Sequence, residues 1–202
     1  MLSGLRQWKT LIVDDEVEIL STLKDRLKKE GLHVTVAKSF DKALSLIQKG
    51  NYDLAILDIF LPDGNGIDLF QALRKKNGDI YCIMITGNAN VENAVTALNE
   101  GVNAYLVKPF SDDQLHASIN QADRILHLKS QNTTLFRTIE NNRQFYENLL
   151  NSTSEAIVVV DLEYRLRYSN ETSSTILELD SEDTSEKFIY EFFEDGYKIL
   201  SH

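Results

Sequence analysis

Five short apolar runs, separated by stretches of helical periodicity, organise the first 126 residues. They span 9–14, 33–37, 53–58, 81–86 and 103–107. Continuous apolar runs of this length mark strands buried on both faces, as in parallel sheets. Helical stretches fill 16–29, 40–49, 66–76, 91–100 and 112 onward. Gly31, Gly50, Gly78 and Gly101 follow helical stretches, where a left-handed terminal residue is favoured. Asp41 and Ser111 stand where N-caps are expected. Repeated βα units with short connections predict an α/β fold, a doubly wound five-stranded parallel sheet over residues 1–126.

The last helix has no obvious stop. Residues 111–150 contain neither Gly nor Pro. Leu115, Ile119, Ala122 and Leu126 form one apolar stripe, suited to packing on the sheet. A second stripe runs through Ile125, Leu128, Asn132, Leu135, Ile139, Asn142, Tyr146 and Leu149. Its steps alternate between three and four, the spacing of heptad a and d positions. The expectation is a linker helix over 127–150 and a parallel homodimeric coiled coil through 125–149. A solvated amphipathic helix packed on its own domain is the alternative. Beyond it, Ala156–Val160 and Arg165–Tyr168 read as two strands around a turn, followed by a helical start at Asn170. Residues 151–202 make a short α+β segment, marginal as an independent core.

Charge separates the two halves. Residues 1–126 carry 14 Lys and Arg against 17 Asp and Glu, whereas residues 127–202 carry 7 against 14. With a formal net charge of −10, a nucleic-acid partner is not expected. Cys82 is the single cysteine, inside an apolar strand, so a core role in a reducing compartment fits best. The sequence has no apolar stretch of signal-peptide or membrane-span length, so the expectation is a cytoplasmic protein without a membrane partner.

The chemistry sits at the strand ends. Asp14 and Asp15 follow the first apolar run, Asp58 closes the third, Thr86 the fourth, and Lys108-Pro109 follows the fifth. In an open α/β sheet these carboxyl ends border one crevice, where ligands bind. Three carboxylates, an ammonium and a hydroxyl together suit a divalent cation and phosphoryl chemistry. Taken singly, each has an ordinary reading. Asp14 and Asp15 suit a helix N-terminus, Asp58 a cap, Lys108 a solvated loop, Thr86 a strand end, and Tyr105 a half-buried aromatic.

The motifs Val13-Asp14-Asp15-Glu16, Leu57-Asp58-Ile59-Phe60-Leu61-Pro62-Asp63-Gly64 with Gly66, Thr86-Gly87 and Tyr105-Leu106-Val107-Lys108-Pro109-Phe110 resemble the receiver domain of two-component response regulators. The resemblance implies a flavodoxin-like fold with Asp58 as phosphoacceptor, charged by a sensor histidine kinase or phosphotransfer protein. It implies Mg²⁺ held by Asp14, Asp15, Asp58 and the backbone carbonyl of Phe60. Lys108 and Thr86 would contact the phosphoryl group, Tyr105 would move in behind Thr86, and Lys108-Pro109 is a candidate cis peptide. Such a domain supports only its own phosphorylation and dephosphorylation and is not an enzyme acting on other substrates. Phe60 and Asn88 stand where the family tunes hydrolysis, and bulky, apolar Phe60 predicts a slowly decaying phosphate.

A Mg²⁺-dependent aspartyl-phosphate phosphatase or phosphotransferase of the haloacid-dehalogenase kind is an alternative. That class wants a second Asp two residues after the nucleophile, where this chain has Phe60. A phosphorylation-independent dimeric scaffold, with sensing by the C-terminal segment, is another. His127 lacks the acidic neighbour of a phosphorylated kinase histidine. Residues 148–179, with Glu155–Asp161 and Tyr168-Ser169-Asn170, resemble the opening of a PAS sensor domain. Tyr164 stands where a turn glycine is common. The sequence covers about half of such a domain, so the expectation is a piece of a longer protein, or a tail completed by a partner.

Overall fold

The apolar runs become strands almost residue for residue in the computed structural model, which describes residues 8–87 and 100–176. Strands β1 (Lys9–Val13), β2 (His33–Ala37), β3 (Leu54–Asp58), β6 (Tyr81–Thr86) and β7 (Ala104–Val107) form one sheet. All are parallel, in the order β2-β1-β3-β6-β7. This is the flavodoxin-like arrangement, with its reversal of winding between β1 and β3. A two-residue ribbon, β4 (Phe60–Leu61) with β5 (Gly64–Asn65), interrupts the path to α3. Helices α1 (Val17–Lys29), α2 (Phe40–Lys49) and α3 (Gly66–Lys76) occupy the expected stretches. The expected helix at 91–100 and Asn88 lie outside the described residues, apart from Glu100.

Side-chain alternation along the strands builds two apolar layers. Leu11, Val13, Ala55, Leu57, Cys82 and Met84 face Ala43 and Ile47 of α2 and Leu69, Phe70 and Leu73 of α3. Ile12, Ile56, Ile83 and Ile85 face the other way, toward Leu20, Leu23 and Leu27 of α1. There they also meet Leu115, Ile119, Ala122 and Leu126 of α4 (Asp112–Asn151), the first apolar stripe expected for that helix. Because β3 and β6 are covered on both faces, every one of their residues is buried, which explains why their sequences lack polar alternation.

Some local expectations need correction. Gly31 and Gly101 do adopt left-handed φ of 86° and 88°. Gly50 is extended at φ −123°, and Gly78 is not left-handed either. Asp41 is not the cap of α2. Ser39 takes that place, accepting from the Lys42 N–H at 3.3 Å, while Asp63 accepts from the N–H groups of Phe40 and Asp41. Ser111 behaves as expected: its Oγ accepts from Gln114 N–H, and the Gln114 side chain accepts from Ser111 N–H, a reciprocal capping box.

The chain divides into two units, Met1–Asn132 and Thr133–His202. Helix α4 runs unbroken for 40 residues. Its second stripe is exposed from Leu128 on, with Leu128, Leu135, Ile139, Tyr146 and Leu149 between 51% and 61% accessible, so no part of the described chain covers it. In the second unit, β8 (Val158–Val160) and β9 (Leu166–Ser169) pair antiparallel, with Tyr164 at φ 63° in the turn, followed by the short helix α5 (Glu171–Ile176). Asn170 is fully buried. Its Oδ1 accepts from the N–H of Ile157 and Ser173, and its Nδ2 donates to the carbonyls of Leu150 and Glu155. A single amide thus joins the last turn of α4, the hairpin and α5.

Candidate functional site

The carboxyl ends of β1, β3, β6 and β7 converge, as the strand-end pattern requires. Asp14, directly after β1, is 0% exposed, Asp58, the last residue of β3, 5%, and Thr86, the last of β6, 0%. Lys108 follows β7, its N–H bonded to the Thr86 carbonyl at 2.7 Å, and the Lys108-Pro109 peptide is cis. The Lys108 Nζ lies 2.6 Å from Asp58 Oδ2, 2.7 Å from Asp14 Oδ2 and 2.9 Å from Glu16 Oε1. Asp58 Oδ1 accepts from Phe60 N–H and Asp14 Oδ1 from Glu16 N–H. Asp14 Oδ2 meets the ammonium at an angle outside hydrogen-bonding geometry, so this buried oxygen is charge-compensated without being well bonded.

Three carboxylates around one ammonium leave an excess of negative charge. Burial pushes the Asp14 carboxyl above the usual carboxylate range, and Lys108 opposes this only in part. Burial pulls the Lys108 ammonium down, yet the adjoining carboxylates of Asp14, Asp58 and Glu16 outweigh it and raise the group overall. Oxygens of Asp14, Glu16 and Asp58 all lie within 4.8 Å of one another, an all-oxygen donor set of the kind hard divalent cations take. The buried, poorly bonded Asp14 oxygen is available to such an ion.

Asp15 is exposed and stands outside this grouping. Glu16 is inside it and was missed by sequence reasoning. It is the N-cap residue of α1 but makes no cap bond, because its carboxylate turns back to Lys108. Its position two residues after Asp14 was the available signal. Phe60 stands on β4 with its side chain half exposed. Tyr105, on β7, is half-buried against the layer formed with α2 and α3. Gly66 also matters. A Cβ there would lie 2.1 Å from the Asp58 carbonyl oxygen, so only glycine lets α3 start this close to the acidic strand end.

The description "Response regulator receiver domain" matches residues 10–120. This chain belongs to the response regulator receiver family. A probable transcriptional regulator ycf27 of Cyanophora paradoxa is 38% identical over 133 residues, covering 66% of this chain and 54% of its own length. The transcriptional regulatory protein CpxR of Escherichia coli strain K12 is 39% identical over 123 residues, covering 61% and 52%. The chain therefore spans about half the length of these relatives. Among solved structures, a CheY-like receiver domain protein from Methanospirillum hungatei superposes with a TM-score of 0.58 at 34% identity, over 61% of this chain and 98% of that one. Receiver domains bind Mg²⁺ at an acidic pocket, and in this chain Asp14, Glu16 and Asp58 form an acidic cluster at the strand ends. Among the described residues, no helix is long and apolar enough to cross a membrane.

Proposed function

We propose that Asp58 accepts a phosphoryl group from a sensor histidine kinase or a phosphotransfer protein. The observation that carries this is the placement of a nearly buried carboxylate at the end of a central strand, with an ammonium 2.6 Å from its Oδ2. A strand-end carboxylate is a fixed nucleophile, and little else is needed beyond positioning and charge neutralisation. An Asp58 oxygen attacks phosphorus, the donor's P–N bond breaks, and an acyl phosphate forms as the imidazole leaves. Mg²⁺, when bound, supplies further neutralisation of the phosphoryl oxygens, and Asp14, Asp15, Asp58, the Phe60 carbonyl and Glu16 are its candidate ligands. Lys108, a compact charge, transfers from the carboxylates to the phosphoryl group. Thr86 donates to the same group, and Tyr105 follows Thr86 inward.

The receiver spans 1–126, with a linker helix over 127–150 that dimerises through its 125–149 seam, and a PAS-like segment over 151–202. The Asn170-centred hairpin supports the PAS reading. Phosphorylation changes pairing along the seam, and output passes through it or through a domain of the kind found in longer relatives. The domain acts as a phosphoacceptor rather than an enzyme, and the acidic chain itself contacts neither nucleic acid nor membrane. A phosphatase of the haloacid-dehalogenase kind is disfavoured because Phe60 stands where that chemistry needs a second carboxylate. Acetyl phosphate labelling followed by intact-mass measurement tests the reading. The parent should gain about 80 Da, the mass of one phosphoryl group, and Asp58→Asn should not. Labelling of both alike would refute it.

A further inference from the structure

This inference rests on the dimeric reading of residues 125–149 and deepens it. In heptad register Ile125, Asn132, Ile139 and Tyr146 take a, and Leu128, Leu135, Asn142 and Leu149 take d. The two ends of that seam differ. At the N-terminal end Ile125 is already engaged, packed with buried Leu126 on the sheet layer shared with α1. Lys129, at e, is ion-paired with Asp79 at 3.1 Å and donates to the Asp79 carbonyl. Arg124 takes the g position before it. In a parallel, in-register pair, g faces the e position of the next heptad across the seam. Arg124 would therefore meet Lys129 twice, like charge against like charge.

The C-terminal end has the opposite character. Ile139, Tyr146 and Leu149 are exposed, and Phe145 at g is 60% exposed, stacked edge-on against Tyr146. Across the seam Phe145 would meet Leu150 at e, widening the apolar face. The last turn is also secured. Asn170 Nδ2 donates to the Leu150 carbonyl at 3.1 Å, and Asn151 Oδ1 accepts from Glu171 N–H at 2.8 Å. A second copy is the occupant this pattern favours. In register, Asn132 faces Asn132 and Asn142 faces Asn142, so each amide finds a polar partner. A foreign apolar groove would bury both unpaired, at about 1–3 kcal/mol each.

We propose that the second copy grips the C-terminal half of the seam, residues 139–150, and that 125–129, tied to its own domain through Ile125 and the Lys129–Asp79 pair, is the segment where pairing opens and closes. Oxidative cross-linking of the full chain tests this with single substitutions Leu128→Cys and Leu149→Cys, both at d, and Asn141→Cys at c, off the seam. Cys82 is buried, so the unaltered chain is the control. Leu149→Cys should cross-link about fivefold faster than Leu128→Cys. Adding Lys129→Glu removes the like-charge contact and the Asp79 pair, and should speed Leu128→Cys while leaving Leu149→Cys unchanged. Equal rates at 128 and 149, or a ratio untouched by Lys129→Glu, overturn the proposal while a dimeric mass by light scattering preserves the dimer. Cross-linking at 141 as fast as at 149 also overturns it. Absence of cross-linking at all positions with a monomeric mass removes the dimer reading itself.

Discussion

Replacing Lys108 by methionine takes away the ammonium that holds Asp14 and Asp58 together. The Lys108 side chain is 12% exposed and those of Asp14 and Asp58 are 0% and 7%, so water screens the pair contacts weakly. At an effective dielectric of roughly 20, each contact near 2.7 Å contributes about 6 kcal/mol of gross attraction. The two carboxylates have oxygens within 4.8 Å of one another and repel by at least about 3.5 kcal/mol on the same scale. Glu16 is 59% exposed at its side chain and is left out of this sum because solvent screens it. Without Lys108, the folded chain escapes the repulsion by binding a proton. Near pH 7.5, protonating an ordinary aspartate costs about 5 kcal/mol, and near pH 5 about 1.6, at 1.36 kcal/mol for each pH unit.

The variant should therefore be destabilised by about 3–5 kcal/mol near neutrality and by less than half of that near pH 5. The sign follows from Asp14. Its carboxyl is already raised in the parent, so as pH rises past about 3.8 the unfolded state gives up this proton before the folded state does. That group favours folding at low pH and loses ground as pH rises, and the variant exaggerates the trend. Lys108 itself, raised overall, contributes its full stabilisation below its ordinary value near 10.5 and loses it progressively as pH rises from there through the higher folded-state value. Urea unfolding followed by Trp8 fluorescence is the assay. Trp8 is the single tryptophan and sits in the receiver, its Nε1 bonded to Asp123 at 2.9 Å and its ring edge-on to His127. The midpoint should fall by about 1–3 M near neutrality at ordinary m values. Added Mg²⁺ should recover more of it in the variant than in the parent. A loss of equal size at both pH values, or no loss, would refute the electrostatic account.

Three further outcomes follow from particular contacts. Gly66→Ala forces a methyl group onto the Asp58 carbonyl, so the receiver transition should weaken by several kcal/mol and acetyl phosphate labelling should fall; unchanged values for both would contradict the close approach. Asn170→Ala removes a buried amide with five side-chain hydrogen bonds, at roughly 2–4 kcal/mol, which should speed hydrogen exchange across 157–173 without moving the Trp8 transition. Phe60→Ser opens the half-exposed flank of Asp58, and the acyl phosphate should decay several-fold faster by intact-mass time course; an unaltered lifetime would remove Phe60 as a screen.

Strand positions, helix positions and the convergence of Asp14, Asp58, Thr86 and Lys108 could be read from the chain alone. Burial on both faces demands unbroken apolar runs, and a parallel sheet brings every strand's carboxyl end to one edge. These are local patterns with a single topological consequence. Tertiary structure decided what depends on partners distant in sequence. It brought Glu16 rather than Asp15 beside Lys108, because the backbone entering α1 aims one side chain at the pocket and leaves the other in water. It handed the cap of α2 to Ser39 and to Asp63 from a neighbouring loop. It gave Ile125 to the sheet and left Leu128 onward bare, since a heptad spacing states which residues share a face and only packing states what covers it.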